Sequence, residues 1–215
     1  MNGTPESAGI AEPDGSWRRF DAAPLPPVLQ AAQDCFGEHG YHGTTIREVA
    51  ARAGLSVPGI YHHYPSKQAL LVGIAQAAMA ELYDRTLAAA EEAGADPVDR
   101  IRAVVESLVL FHAHRGPSAF IAASEIRSLD GDARAAHIAA RDRQQRLLSD
   151  AVDDAAAAGR VGTPVPHEAM RAVTTMCTAV AQWYRLDGPL RPEELASTYV
   201  RFALDLLRID GAGPA

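Results

Sequence analysis

Apolar residues recur along this chain at the spacing of an α-helix. Glycine and proline residues separate each such stretch from the next. After Pro26-Pro27, apolar side chains share one helical face until Gly40. Similar stretches predict further helices over 66–92, 97–115, 117–129, 132–158, 166–186 and 192–209. We find no convincing alternation of apolar and polar residues with the period of two that a strand requires. The pattern therefore predicts an all-α protein.

Between the first of these helices and the one predicted over 66–92, the sequence carries signals for two short helices joined by a tight turn. Thr45 and Glu48 have the spacing of a capping box, which starts a helix. Gly54 can adopt the left-handed conformation that ends it. Ser56 can then cap a second helix, with Pro58 in its first turn. This is the pattern of a helix-turn-helix, in which the second helix enters the major groove of DNA.

The same stretch resembles the TetR family of transcriptional regulators, closely so from about Leu29 to Leu71. The matching positions are Phe36, Gly40-Tyr41, Thr44-Thr45-Ile46, Ala50, Ala53-Gly54, Gly59-Ile60-Tyr61-His62-His63-Tyr64 and Ser66-Lys67. The resemblance implies a three-helix DNA-binding head and a helical body that contains a ligand cavity. It also implies a homodimer that represses a promoter at a palindromic operator and is released by a small molecule.

The residues expected to contact the DNA operator lie on the second and third helices and at the start of the fourth. They are Thr45, Arg47, Ser56, Val57, Pro58, Gly59, Tyr61, His62, His63 and Lys67. The resemblance implies phosphate contacts for Tyr61, His63 and Lys67. Each of three residues also has a purely structural interpretation: Thr45 could be only a helix cap, Arg47 only a surface cation and Tyr61 only a core ring. Because Val57, Pro58 and Gly59 offer no polar side chain, part of the specificity should come from DNA shape.

The distribution of charge changes how the net charge should be interpreted. The chain carries a formal net charge of −7, which alone would disfavour DNA binding. Residues 17–67 nevertheless hold five basic residues against four acidic ones, so the acidic excess lies elsewhere. We expect residues 17–67 to be the DNA-binding domain and 68–215 a ligand-binding and dimerisation domain. Residues 1–16 are rich in Gly, Pro, Ser and acidic residues, so we expect a disordered tail there.

The composition also limits the cellular compartment and the kinds of chemistry that we expect for this protein. Cys35 and Cys177 are far apart and fit neither a disulfide framework nor a metal site, so a reducing cytoplasm is expected. No signal peptide or apolar run of spanning length is evident, so no membrane partner is expected. No catalytic motif emerges either, and we expect no enzyme activity, no cofactor and no metal.

The body offers candidates for an effector site that suits a mostly apolar molecule with one polar end. They are Phe111, His114, Phe120, Glu125, Met170 and Thr174. The plain alternatives are an ion pair for Glu125, and core or dimer-seam positions for Met170 and Thr174.

The last two helices carry apolar stripes that predict a four-helix contact between two copies of the chain. The expected interface residues are Val173, Cys177, Tyr184, Tyr199, Phe202 and Leu206.

A second resemblance concerns the segment from Trp183 to Leu195, which looks like a C-terminal segment of regulators of fatty-acid and sterol breakdown. Those regulators often sense acyl-CoA thioesters, so the resemblance suggests an acyl-CoA as effector. A purely structural helix-loop-helix that supports the dimer explains the segment equally well.

Two other functional classes remain beside the repressor. One is a helical bundle that binds small molecules and keeps a vestigial DNA-binding head. The other is a small all-helical enzyme, which the missing catalytic constellation disfavours.

Overall fold

The computed structural model describes residues 16–21 and 25–209, and this part of the chain is helical and contains no strand. The α-helices are α1 Pro27–Gly43, α2 Ile46–Ala53, α3 Val57–His63, α4 Lys67–Glu92, α5 Pro97–His114, α6 Gly116–Ser124, α7 Gly131–Ala157, α8 Pro166–Trp183 and α9 Pro192–Leu207. Short 3-10 turns cover Ser16–Arg18 and Glu125–Ser128. The all-α prediction is confirmed. The predicted disordered tail lies outside the described residues, apart from Ser16.

The capping signals in the head form the contacts that the sequence predicts. Thr45 Oγ1 accepts the backbone N–H of Glu48 at 3.3 Å, and the Glu48 carboxylate accepts the N–H of Thr45 at 2.6 Å. Gly54 ends α2 with a φ of 67°. Ser56 Oγ accepts the N–H of Gly59 at 3.1 Å and so starts α3. These local bonds fix α2 and α3 at a set angle.

Helix α1 extends further than the sequence indicates. We expected it to end at Gly40, and this residue does have a left-handed φ of 72°. The chain resumes helical geometry after Gly40, however, so α1 is kinked and continues to Gly43. Thr44 closes it, because its buried hydroxyl group donates to the carbonyl oxygens of Cys35 and Gly40, each at 2.9 Å.

Helix α4 joins the head to the body. It has 26 residues, which makes it roughly 39 Å long. Leu71 and Ile74, near its start, belong to the head core, whereas Met79 and Leu82 belong to the body core. Gly73 lets α1 approach closely, since a Cβ at this position would lie 3.1 Å from both terminal methyl carbons of Leu29. The helix therefore forms part of both hydrophobic cores.

Helix α5 is the centre of the body. It is packed by α4, α7, α8 and α9, and it buries side chains on every face. A helix that is apolar all round is stable only when other elements cover it completely. The remaining body helices therefore wrap around α5.

The segment before α1 packs against the body rather than the head. Trp17 is only 3% exposed, and its indole N–H donates to Glu92 Oε2 at 2.9 Å. Arg18 pairs with Glu92 at 3.0 Å and with Glu106 at 2.7 Å. Phe20 stacks on His114 with 4.3 Å between the ring centroids. Our assignment of residues 17–21 to the DNA-binding head differs from this arrangement, because the apolar cover and the carboxylates lie on α4 and α5.

Two other helix ends differ from the expected ones. The helix predicted to reach Leu129 ends at Ser124 and passes into a 3-10 turn. The helix predicted to reach Leu186 ends at Trp183. In the part of the chain that the structure describes, no helix is both long enough and apolar enough to cross a bilayer.

Candidate DNA-binding surface and effector cavity

One face of helix α3 packs on the head core, and the opposite face is exposed. Ile60 is fully buried in the head core, which fixes the helix on α2. Tyr61, His62 and His63 are exposed, and Tyr61 keeps 48% of its surface accessible. Of the apolar residues at the start of α3, Val57 is half-buried and packs against the head core. The exposed face of α3 is therefore made largely of ring side chains.

The remaining candidates lie on α2, beside it or at the start of α3. Thr45, Arg47, Ser56 and Pro58 are exposed, and Gly59 is half-buried. Thr45 and Ser56 use their hydroxyl oxygens as caps. Capping does not consume every lone pair or the hydroxyl hydrogen of Ser56, so a phosphate contact remains open to it.

Lys67 lies at the first position of α4, where it connects two parts of the head. Its ammonium group donates to the carbonyl oxygens of Tyr41 at 2.7 Å and Thr44 at 2.9 Å. The same group lies 4.5 Å from the centre of the Tyr41 ring. Since an ammonium group has three N–H donors, one is left for a phosphate oxygen. Lys67 thus joins the end of α1 to the start of α4, in addition to its predicted role on DNA.

A cavity of about 130 Å³ lies inside the body between α4, α5, α6, α7 and α8. Its apolar walls come mainly from Met79, Leu82, Leu108 and Leu148. A second cavity of about 240 Å³ lies between α4 and α7, nearer the head. Met79 and His137 line both cavities, so these two side chains form the wall between them.

The structure brings only part of the predicted effector site to this cavity. Phe111 and Thr174 line it. Thr174 donates to the backbone oxygen of Met170 at 3.0 Å, so its own oxygen is free to accept a bond. These two positions remain candidates for effector contacts.

The other four predicted effector residues lie elsewhere. His114 stacks on Phe20 beneath the N-terminal segment, where burial lowers its pKa. Phe120 is 45% exposed, because α6 turns that position outward. Glu125 accepts from the hydroxyl group of Ser128 at 2.9 Å in the 3-10 turn, so its contact is structural. Met170 is buried in the body core. These residues are excluded from the lining of the cavity.

Polar side chains that we had not selected line the cavity instead, and His112 is one of them. It is only 6% exposed, and its Nδ1 lies 2.7 Å from the carbonyl oxygen of Leu108. Burial lowers the pKa of His112 to about 4, so the ring is neutral near pH 7. The others are His137, Arg141, Gln144, Gln145 and Thr178.

The predicted dimer residues fall into two groups. Phe202 is 45% exposed and Leu206 is 41% exposed, and both share one face of α9. Tyr199 is half-buried beside Phe202, and the hydroxyl group of Tyr184 donates to the carbonyl oxygen of Leu190 at 2.6 Å. Trp183, which we had not selected, leaves 51% of its surface exposed at the end of α8.

Val173 and Cys177 must be removed from the predicted interface. They are 1% and 0% exposed within a single copy of the chain, where they pack in the body core. Side chains that are already covered by their own chain have no surface to offer a second copy. Burial also raises the pKa of the Cys177 thiol to about 12, which keeps it protonated and unreactive.

Comparison with known proteins agrees with this architecture. The family model for bacterial regulatory proteins of the tetR family matches residues 28–74, which cover most of the head and the start of α4. The model for the tetracyclin repressor-like C-terminal domain matches residues 94–207, more than half of the chain. The protein belongs to the TetR family of transcriptional regulators.

Individual relatives cover nearly the whole chain. A TetR-family regulator from Thermus thermophilus, PfmR, is 32% identical with a TM-score of 0.74, and the match covers 85% of this chain and 98% of that one. AibR, solved with isovaleryl coenzyme A and operator DNA, is 27% identical with a TM-score of 0.74 and coverage of 85% and 97%. The HTH-type transcriptional repressor KstR2 of Mycobacterium tuberculosis is 23% identical over 189 residues, which are 86% of this chain and 92% of KstR2.

The cavity of this TetR-family member has a sequence signal that our predictions missed. His137, Arg141, Gln144 and Leu148 follow one another at intervals of three and four residues, so they share one face of α7. That face is mostly polar, and an apolar stripe was the signal used to find buried positions. The segment from Trp183 to Leu195 contributes no residue to the cavity lining.

Proposed function

We propose that this TetR-family regulator is a homodimeric repressor that acts in the cytoplasm and leaves its palindromic operator when an effector binds the body. The observation that carries the proposal is the shared helix α4. Its first turns belong to the core of the head, and its middle turns line both cavities of the body. A single rigid element therefore connects the DNA-binding surface to the effector cavity.

The head has the physical features that operator binding requires. Tyr61 and His63 are exposed on α3, whose position is fixed by the buried Ile60. Arg47 and Lys67 supply positive charge beside that face, and Arg52 is neutralised by Glu38 at 2.6 Å. Two heads related by a two-fold axis would read inverted half-sites about one helical turn apart.

The size of the cavities suggests how an effector could change the head. Each of the two cavities is smaller than the roughly 300 Å³ at which ligand pockets usually begin. A larger effector must therefore displace the wall between them, which consists of Met79 on α4 and His137 on α7. Displacing Met79 moves α4, and with it the spacing of the two recognition helices. The effector shifts this equilibrium only by its difference in affinity for the two positions.

The lining favours a mostly apolar effector, and an acyl-CoA thioester is the leading candidate. The structural relative AibR was solved with isovaleryl coenzyme A, and the C-terminal segment resembles regulators of fatty-acid and sterol breakdown. Arg141 on the cavity lining and Arg143 beside the second cavity would suit the anionic part of such a molecule.

The dimer would form through the exposed face of α8 and α9. Trp183, Phe202 and Leu206 form an exposed apolar surface on these helices, and dimers of this kind bury such a surface in a four-helix contact.

The test is binding of the purified full-length protein to labelled DNA from upstream of its own gene, followed by addition of acyl-CoAs. Repression predicts a protected palindrome, a steep fall of affinity with salt and reduced transcription in vitro. Failure to bind any upstream DNA, together with retained acyl-CoA binding, would favour the bundle with a vestigial head. Increased transcription would show an activator instead.

A further inference from the structure

The cavity in the body contains buried polar atoms without partners. Among the described residues, His137 Nε2, Gln144 Nε2 and Gln144 Oε1 have no hydrogen-bond partner. His137 and Gln144 are each only 7% exposed, and both line the cavity. A buried polar group without a partner destabilises the protein, so such groups are rare in native structures. Three of the four such atoms in the described part of the chain line this cavity, the fourth being Arg100 Nε, and this concentration points to a bound partner.

The two histidines of this cavity are neutral, and His112 can act only as an acceptor toward a ligand. The Nδ1 atom of His112 is bonded to the carbonyl oxygen of Leu108, and a carbonyl oxygen can only accept. The ring hydrogen of His112 is therefore on Nδ1, and Nε2 presents a lone pair. Burial lowers the pKa of His137 as well, so this ring is also kept neutral. The nearby backbone of Ala122 raises the pKa of His137, but by less than burial lowers it. His137 Nε2 is buried and has no hydrogen-bond partner.

Gln144 adds the complementary group, because its amide carries two N–H donors and one oxygen acceptor. A ligand carbonyl or carboxylate could accept from this amide, but it has no hydrogen to give to the imidazole nitrogens. A hydroxyl group donates one hydrogen bond and accepts others. It therefore matches a site that offers imidazole lone pairs and an amide together.

The rest of the cavity is apolar, with Leu82, Leu108, Phe111 and Leu148 among its walls. We infer that the effector is an apolar molecule that carries a hydroxyl group, and that His112, His137 and Gln144 bind this hydroxyl group. The inference rests on the proposed effector-controlled function and narrows its chemistry. Hydroxylated acyl chains and hydroxylated ring systems share this chemistry, so the experiment contains both.

The experiment measures binding of two matched series to the full-length protein by isothermal titration calorimetry. The acyl series is 3-hydroxydecanoyl-CoA, 3-oxodecanoyl-CoA and decanoyl-CoA. The ring series is a steroid alcohol and its ketone. In one series the alcohol should bind at least about tenfold more tightly than the ketone, which corresponds to ~1.4 kcal/mol. Equal or tighter binding of the ketone in both series, or no binding in either, would overturn the inference.

Variants identify the groups responsible for the preference. In Gln144→Leu and in His137→Phe, the ratio between the affinities of alcohol and ketone should fall to about twofold or less, because an apolar side chain replaces a polar partner. Arg146→Leu is the matched control, since this nearby residue of α7 is exposed and lines neither cavity. The control should keep the wild-type ratio. If both Gln144→Leu and His137→Phe kept the full preference, the assignment of these residues would be wrong.

Operator release by the same ligands, followed by fluorescence anisotropy, separates this inference from the repressor proposal. Preferential binding of the alcohols without operator release would contradict the repressor and leave the inference standing. Operator release with no preference for the alcohols would support the repressor proposal and contradict the inference.

Discussion

The head and the body are both helical, but their structures depend on different kinds of contact. In the head, the caps that start α2 and α3 are formed by residues three positions apart, Thr45 with Glu48 and Ser56 with Gly59. In the body, the cavity is assembled from five helices that span residues 78 to 178. The candidate DNA-binding surface of the head faces outward, whereas the candidate effector site of the body is enclosed by helices.

This difference separates the two halves of the function. The DNA-binding surface needs side chains held at fixed positions on a small rigid frame, and short-range capping supplies that. The effector site needs space and partially unsatisfied polar groups, which only packing between distant segments can leave. Helix α4 belongs to both the head and the body. A substitution in one of these regions that changes the properties of the other should therefore act through α4.

The largest expected effect tests whether the head works without dimerisation of the body. Leu206→Arg introduces a charge into the exposed apolar face of α9, so the protein should become monomeric. Operator affinity should then fall by more than about hundredfold, because two linked half-sites bind far more tightly than one. Sedimentation and anisotropy measure the two effects. Ser197→Arg, at an exposed position elsewhere on α9, should change neither of them.

The next effect tests whether the N-terminal segment belongs to the body. Trp17→Ala removes a buried indole and its bond to Glu92, and should lower the free energy of unfolding by about 3 kcal/mol. Trp17→Phe keeps most of the apolar contact, so it should lose only about 1 kcal/mol. Denaturant titration gives both values. If the segment instead served the head, Trp17→Ala would weaken operator binding at temperatures where the protein is fully folded.

A smaller effect is confined to the recognition helix. Gly59→Leu should weaken operator binding by about tenfold or more, ~1.4 kcal/mol, because a long side chain would hold α3 away from the groove. A Cβ at Gly59 would meet only Ser56 Oγ, at 3.3 Å, and Leu55 Cβ, at 3.7 Å. Gly59→Ala should therefore fold normally and bind more tightly than Gly59→Leu. Wild-type affinity in Gly59→Leu would show that α3 docks differently.

The smallest effect concerns Lys67, which has both a structural and a predicted DNA-binding role. Lys67→Ala should reduce affinity several-fold for specific and non-specific DNA alike, since phosphate contacts carry no sequence information. If Lys67 contacts a phosphate, the slope of log affinity against log salt should decrease by about one. An unchanged slope with a lower melting temperature would mean that only the bonds to Tyr41 and Thr44 matter.

Much of the fold could be predicted from the sequence, because its signals are local. The limits of α2, α3 and α4 follow from Thr45, Gly54, Ser56 and Ser66, whose side chains or backbones act within one turn. The sequence predicted that α1 ends at Gly40, and this residue does leave helical geometry. The continuation to Gly43 was not predicted, because it depends on Thr44 reaching back to Cys35.

The cavity residues were harder to predict. Helical periodicity shows which residues share one face of a helix, but it does not show which other helix packs against that face. Phe111 and Met170 both sit on apolar faces, yet only Phe111 borders the cavity. His112 and His114 are two residues apart, and the chain alone could not decide which one faces inward. For the same reason Val173 and Cys177 were taken for interface residues although α5 and its neighbours already cover them.

The sequence by itself determined the all-helical fold and the helix-turn-helix, because capping bonds, turns and apolar periodicity act over a few residues. It indicated the family through the resemblance of the stretch from about Leu29 to Leu71. Only the tertiary structure decided which apolar faces meet inside one chain and which remain exposed for a partner. It also decided that His112, His137 and Gln144 border the same cavity, since no local signal relates side chains that come from different helices. The physical reason is that burial depends on the packing of every neighbouring helix, whereas a cap depends only on the residues beside it.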